Sequence, residues 1–141
     1  MTLTGGCFCG ALRFEAKGPI RMRGLCLCSS CQKISGGAGN LFIGLMSEDF
    51  RYTQGQPRQF QRSDEAPARE FCGACGTHMA ARSPKAPSGV IVKVGALDNP
   101  AAFEGPDMVV WTEEKQAFHL IPEGVRSFER LPGPQPSTSS E

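Results

Sequence analysis

The sequence predicts a mainly β fold built from short strands. Several segments alternate apolar and polar residues with the period of two that is typical of half-buried strands. The 17 glycines and 11 prolines leave little room for long helices. Seven cysteines fall into three clusters whose spacing indicates metal ligation. With 141 residues, of which 40% are hydrophobic and 21% charged, the chain is expected to form one compact domain.

The first strand is predicted over residues 11–16, where Leu12 and Phe14 alternate with Arg13 and Glu15. Turn-forming residues separate the further predicted strands, at 40–46, 58–62, 69–71, 79–82, 90–94 and 108–111. Short helical turns are predicted over 29–35 and 98–103. The domain is expected to cover residues 1–131, because residues 132–141 are rich in proline and serine and favour a disordered tail.

The first and third cysteine clusters predict one closed metal site. In Cys7-Phe8-Cys9 an extended backbone would point both sulfurs to the same side. Cys72-Gly73-Ala74-Cys75 has the form of a zinc knuckle, in which two thiolates flank a tight turn. Each cluster supplies two ligands and a structural zinc site takes four, so the two clusters are paired.

The middle cluster predicts an open site. It contains three ligands that lie close enough in sequence to share one ion, namely Cys26, Cys28 and Cys31. No cysteine remains for a fourth position, and a zinc site that performs chemistry keeps three protein ligands and one open position. The expected cofactor is therefore two zinc ions per chain, one structural and one labile.

Other interpretations of the cysteines stay open. A disulfide framework could explain the four outer cysteines, although an odd count of seven argues against it. The middle cluster could be a redox dithiol of Cys28 and Cys31, an iron–sulfur site, or a zinc site completed by a histidine. We leave His78 and His119 out of the ligand set, because a histidine beside a knuckle or far from any cysteine is more often packed.

Composition and charge exclude several function classes. The formal charge is +1, and seven thiolates would outweigh two divalent ions, so no positive field favours nucleic acid. No apolar run is long enough to span a membrane, and the first residues form no secretory leader. Abundant cysteine favours a reducing compartment, so a cytoplasmic location is expected.

The motifs, taken in order, resemble the glutathione-dependent formaldehyde-activating enzyme (GFA) family. The similarity covers roughly residues 4–103, and a weaker similarity extends toward residue 132. The segments that carry it are residues 5–14, which begin Gly-Gly-Cys-Phe-Cys-Gly, residues 26–32, residues 35–42 and residues 71–77. The resemblance implies an Mss4-like zinc-binding fold of short antiparallel strands with few short helices. It also implies a structural zinc on Cys7, Cys9, Cys72 and Cys75 and an active-site zinc on Cys26, Cys28 and Cys31.

The family further implies a carbon–sulfur lyase, similar to S-(hydroxymethyl)glutathione synthase, whose partners are a thiol such as glutathione and a small aldehyde such as formaldehyde. Two departures concern the substrate. Leu27 stands where the family motif commonly has histidine, and Asp107 and Met108 precede Trp111 where many members carry a histidine and an aromatic residue. Arg51, Arg58, Arg62 and Arg69 could bind glutathione carboxylates, but exposed arginines are usually solvated, so none is assigned.

Two other function classes remain. The chain could be a non-catalytic glutathione carrier or thiol sensor, because thiol addition to an unhindered aldehyde has a modest barrier. It could also be a zinc-stabilised protein-interaction module, because a fold alone does not determine function.

Overall fold

The computed structural model describes residues 1–132, and this part of the chain contains eleven short strands and one short α-helix. The strands are β1 (Thr2–Gly6), β2 (Arg13–Lys17), β3 (Met22–Cys26), β4 (Asn40–Met46), β5 (Phe50–Gln54), β6 (Arg58–Phe60), β7 (Ala68–Phe71), β8 (His78–Arg82), β9 (Gly89–Lys93), β10 (Met108–Val110) and β11 (Arg126–Ser127). Helix α1 covers Ser29–Ile34, and 3₁₀ turns cover Ser47–Asp49, Val94–Ala96, Pro100–Phe103 and Thr112–Glu114. The predicted mainly β class is confirmed. Of the predicted tail, residues 133–141 lie outside the described part of the chain.

The chain divides into two compact units. The first unit consists of Met1–Arg23 and Leu41–Gly105. The second consists of Gly24–Asn40 and the described residues from Pro106 onward. The prediction of a single domain over residues 1–131 stays a prediction.

The first unit is built from antiparallel strands. One sheet has the order β1-β2-β5, and a second run of paired strands has the order β4-β9-β8-β7-β6. In β2 the side chains of Phe14 and Ala16 are buried, whereas Arg13 and Glu15 are partly exposed, as the alternating pattern predicts. One hydrophobic cluster contains side chains from both sets of strands.

A buried polar network links the two sets of strands in the first unit. Glu70 on β7 is 7% exposed. Its Oε1 accepts a 2.8 Å hydrogen bond from the Tyr52 hydroxyl, and its Oε2 accepts a 2.8 Å hydrogen bond from Arg82 Nε. The Arg82 guanidinium lies over the Phe50 ring. A buried carboxylate is tolerated here because both of its oxygens have partners.

The second unit contains parallel strands. Residues 24–26 of β3 pair with β10, so that Cys26 lies opposite Val110, and β10 also pairs with β11. A small hydrophobic cluster of Leu25, Leu27 and Val109 supports this arrangement. The antiparallel pattern that the family resemblance implies therefore describes the first unit, and the strand pairs of the second unit run parallel. This unit also holds α1.

None of the helices in the described residues has the length and apolar character that crossing a membrane requires.

Candidate metal centres

The structure brings the sulfurs of the first and third clusters together in the first unit. In this four-cysteine group the Sγ atoms all lie within 4.8 Å of one another, and its members are Cys7, Cys9, Cys72 and Cys75. The Sγ atoms of Cys7 and Cys9 are 3.7 Å apart, and those of Cys9 and Cys72 are 3.8 Å apart. A disulfide bond is about 2.05 Å long, so these sulfur pairs are not disulfides. Tetrahedral bonds of about 2.3 Å place neighbouring sulfurs about 3.8 Å apart, so the group fits a zinc ion.

Local backbone turns place these four sulfurs. Cys7 follows β1, its N–H donates to Leu12 O at 3.1 Å, and Gly10 closes the turn with a φ of 86° that favours glycine. The second turn lies between β7 and β8: Cys72 N donates to Thr77 O at 2.9 Å, and Gly76 N donates to Cys72 O at 2.8 Å. Each turn presents two sulfurs on one side of the chain.

Backbone amides and Thr77 stabilise negative charge on this group. Leu12 N donates to Cys7 Sγ at 3.1 Å, and the amides of Ala74 and Cys75 each donate to Cys72 Sγ at 3.4 Å. The Thr77 hydroxyl lies 3.2 Å from Cys75 Sγ and accepts a 3.0 Å hydrogen bond from Phe8 N. Thr77 thereby connects the two turns, and it then has its hydroxyl hydrogen available for Cys75.

The pKa values of the thiols diverge within the four-cysteine group. Hydrogen bonds from the side chain and then the backbone of Thr77 lower the pKa of Cys75 to about 5. The amide of Ala11 lowers the pKa of Cys9, but the neighbouring thiol of Cys7 and burial outweigh it, and the pKa rises to about 11. Without a cation, four crowded thiols do not all ionise, because their negative charges would repel one another. A cation bound among them would allow all four to bind it as thiolates.

The middle cluster forms a three-cysteine group in the second unit. Its Sγ atoms also lie within 4.8 Å of one another, and its members are Cys26, Cys28 and Cys31. Cys26 ends β3, Cys28 is the N-cap of α1, and Cys31 lies in the helix. Cys26 and Cys31 are buried, whereas Cys28 is half-buried. Cys28 is therefore the most exposed member of this group.

Negative charge in the three-cysteine group concentrates on Cys28. Hydrogen bonds from the thiols of Cys26 and Cys31 lower the pKa of Cys28 to about 2, and the amides of Cys31 and Ser30 assist. The same contacts, with burial, raise the pKa of Cys26 far above its usual range. Three soft sulfur donors within 4.8 Å of one another fit a thiophilic cation such as zinc.

Within the described part of the chain, no histidine or carboxylate joins either cysteine group at ligand distance. His119 is buried, and both of its ring nitrogens are engaged: Nε2 donates to Gly37 O at 2.6 Å, and Nδ1 accepts from Gln116 N at 2.9 Å. The His78 ring stacks on Phe71 with centroids 5.8 Å apart, and burial lowers its pKa. Both histidines therefore pack within the protein.

The four arginines considered for substrate binding all lie in the first unit. Arg51 pairs with Glu15 at 2.9 Å, and the stem of Arg58 covers Gly73 so closely that a Cβ there would lie 2.5 Å from Arg58 Cδ. Arg62 lies in a bend after β6, and Arg69 lies on β7. None is assigned to the three-cysteine group.

Three residues around the cysteines were missed by sequence reasoning, namely Thr77, Gln32 and Glu114. Gln32 Nε2 donates to Leu27 O at 2.8 Å and to Glu114 O at 2.9 Å. Glu114 Oε1 accepts a 2.6 Å hydrogen bond from Ser29 N. Thr77 and Gln32 lie within two residues of a cysteine, so their positions could have suggested them. Glu114 could not be found in this way, because it is 85 residues from Ser29.

Comparisons with known proteins place the chain in a family. A comparison with curated proteins gives no match. A crystal structure of a Rhodobacter sphaeroides protein is similar in fold, with a TM-score of 0.60 and 18% sequence identity over 89% of this chain and 98% of that one. The family model described as "Glutathione-dependent formaldehyde-activating enzyme" matches residues 2–114. The resemblance seen in the motifs is thus confirmed, and the chain belongs to the glutathione-dependent formaldehyde-activating enzyme family.

Proposed function

We propose that the chain is a zinc-dependent carbon–sulfur lyase that forms and cleaves the adduct between a thiol such as glutathione and a small aldehyde such as formaldehyde. The family model supports the reaction class. The observation that carries the proposal is the three-cysteine group, in which three sulfurs converge without a fourth ligand from the described residues. A closed four-cysteine group in the same chain supplies the structural counterpart.

The two groups would hold different zinc ions. Cys7, Cys9, Cys72 and Cys75 would close a structural site, and Cys26, Cys28 and Cys31 would hold a labile one. A zinc ion with three thiolate ligands supplies an open coordination position that favours binding of a substrate thiol as thiolate, by lowering the pKa of that thiol.

The residues of the chain prepare this site in three ways. Cys26 and Cys31 are buried, so they exclude water from one side of the group. The half-buried Cys28 leaves the other side accessible. Cys31 N donates a 3.4 Å hydrogen bond to Cys28 Sγ, and Gln32 Nε2 donates a hydrogen bond to Leu27 O. These hydrogen bonds would keep the sulfurs in position when a substrate binds.

The chemistry at the substrate is a balanced addition. The substrate thiol gives its proton to solvent, and the resulting thiolate sulfur attacks the aldehyde carbon. A carbon–sulfur bond forms, the carbonyl π bond opens, and its oxygen takes one proton from solvent to give a hydroxymethyl thioether. Cleavage reverses these changes and returns the thiol and the aldehyde. Glutathione and formaldehyde would give S-hydroxymethylglutathione.

A glutathione carrier or thiol sensor is the second candidate. It is favoured by the three-cysteine group itself, because convergent sulfurs that hold one ion would suffice to bind a thiol. A carrier needs no proton-transferring side chain, because it only binds the adduct. Progress curves of adduct formation, measured with and without protein, distinguish the two: an enzyme raises the rate, and a carrier changes only the amount bound.

Titration calorimetry tests the thiol-binding step. Reduced glutathione should bind the zinc-loaded protein, and its affinity should rise with pH until the bound thiol is fully ionised. S-methylglutathione cannot form a thiolate and should bind about tenfold more weakly or worse, a loss of about 1.4 kcal/mol or more. The variant Cys28→Ser should lose glutathione binding. Equal affinity for the thiol and its methylated analogue would contradict the proposal.

A further inference from the structure

Glu114 makes two contacts to the segment that carries Cys28 and Cys31. Its carboxylate Oε1 accepts a 2.6 Å hydrogen bond from Ser29 N, directly after Cys28. Its backbone carbonyl accepts a 2.9 Å hydrogen bond from Gln32 Nε2, one residue past Cys31. One residue therefore holds the three-cysteine group's helix at both sides of its first turn.

The first turn of α1 needs such a partner. The opening amides of a helix have no acceptor inside the helix, and α1 has no acidic residue of its own in this turn. Cys28 is the N-cap, but its sulfur accepts from Cys31 N at 3.4 Å. The carboxylate of Glu114 satisfies Ser29 N from another segment of the chain. Without the Glu114 carboxylate, Ser29 N would lose its hydrogen-bond acceptor. The first turn of α1 would then lose this contact with another segment of the chain.

Glu114 is itself held firmly. It ends the 3₁₀ turn Thr112–Glu114, which follows Trp111 in the left-handed region with a φ of 60°. Backbone hydrogen bonds fix this turn to the end of the described chain: Trp111 N donates to Arg130 O at 3.1 Å, and Thr112 N donates to Phe128 O at 3.1 Å. A carboxylate on a fixed backbone can hold a partner in one position.

The adjacent Glu113 provides a natural comparison. Its carboxylate pairs with Arg130 Nε at 2.9 Å, and Arg130 also lies over the Trp111 ring. Glu113 thus carries the same charge in the same turn as Glu114, but its carboxylate contacts Arg130, whereas that of Glu114 contacts α1.

We infer that Glu114 is a positioning residue for the three-cysteine centre, holding the first turn of α1 so that the sulfurs of Cys28 and Cys31 converge on one metal ion. The inference rests on the proposed function, because it requires that this group binds metal. It adds a residue that contacts no ligand sulfur directly and acts through Ser29 and Gln32.

The test uses the full chain loaded with cobalt(II), whose visible spectrum reports thiolate coordination, and follows release of the labile ion to a chelator. Glu114→Ala should speed release from the three-cysteine group by about 10–100-fold and weaken the thiolate-to-cobalt absorption of that site. Glu114→Gln keeps an oxygen that can accept from Ser29 N and should restore most of the wild-type behaviour. Glu113→Gln is the matched control and should leave release and spectrum unchanged.

Two results would overturn the inference while leaving the proposed function in place. One is release from Glu114→Ala at the wild-type rate. The other is that Glu114→Ala loses cobalt from the four-cysteine group as fast as from the three-cysteine group. That result would indicate that the variant unfolds generally and that Glu114 does not position one site. A wild-type protein that takes up a single cobalt ion would overturn both the inference and the proposed function.

Discussion

At the scale of single residues, each cysteine group combines crowded sulfurs with directed amides. Leu12 N points at Cys7 Sγ, and Cys31 N points at Cys28 Sγ. Such hydrogen bonds stabilise thiolates and orient them before a cation arrives. Each group contains both buried and more exposed members: Cys72 is 2% exposed in the hydrophobic core of the first unit while Cys9 is exposed, and Cys26 is buried while Cys28 is half-buried. Loss of the core residue Cys72 and loss of the half-buried Cys28 should therefore have different consequences.

Serine substitutions should separate the roles of the two groups. Cys72→Ser should remove most soluble folded protein, because structural zinc contributes on the order of 10 kcal/mol to the folding of small metal-dependent units. Cys28→Ser should keep the fold and lose one zinc ion per chain. Metal analysis and thermal unfolding of both purified variants measure the difference. If Cys28→Ser is the variant that unfolds, the roles assigned to the groups are reversed.

Cysteine spacing predicts which sulfurs lie together, because two cysteines separated by one or two residues stay close enough to bind the same metal ion. The grouping of Cys7 with Cys9 and of Cys72 with Cys75 follows from such local geometry. The partners of the sulfurs do not follow from it. Glu114 reaches α1 only through the fold of the second unit, and no local pattern marks it.

At the scale of elements, the loop after α1 supports the three-cysteine group. It contains Gly36, Gly37 and Gly39, all with positive φ. His119 is hydrogen-bonded to the carbonyl of Gly37. At Gly39 a Cβ would lie 2.8 Å from Leu27 Cδ2 and 3.1 Å from Cys26 O, so this glycine packs directly against the chain that carries the cysteines. At Gly36 no atom lies within 4 Å of such a Cβ.

Alanine substitutions at these two glycines should differ in effect. Gly36→Ala should lower the free energy of unfolding by about 1 kcal/mol, from the left-handed backbone alone. Gly39→Ala adds a Cβ that overlaps Leu27 Cδ2 at 2.8 Å and lies tightly against Cys26 O at 3.1 Å. It should cost about 2–4 kcal/mol and speed release of the labile metal. Urea unfolding and metal release to a chelator measure both effects. Equal stability of the two variants would contradict the close packing described at Gly39.

The strands that alternate or form apolar runs were predicted well, and β4 begins and ends where expected. Four strands were missed, namely β1, β3, β5 and β11. Segments such as Thr2–Gly6, with two glycines, and Met22–Cys26, with a central glycine, have little local β preference. They are strands because a neighbour pairs with them: β2 for the first and β10 for the second.

At the scale of the whole molecule, each compact unit contains one cysteine group. The four-cysteine group joins the turn after β1 to the turn between β7 and β8, and so closes a long loop of the chain, since Cys9 and Cys72 are 63 residues apart. The three-cysteine group lies within six consecutive residues of the second unit and closes no such loop. This difference supports the proposal that the four-cysteine group holds a structural ion and the three-cysteine group an exchangeable one.

The central claim is that the three-cysteine group holds zinc with one position open to a thiol. Zinc X-ray absorption on the fully loaded protein, with and without reduced glutathione, tests it most directly. The resting protein should show about 3.5 sulfur ligands per zinc on average, because one site has four thiolates and the other three plus a light atom. Glutathione should raise the average to about 4, and S-methylglutathione should leave it unchanged. An average that stays at about 3.5 with saturating glutathione would contradict the account.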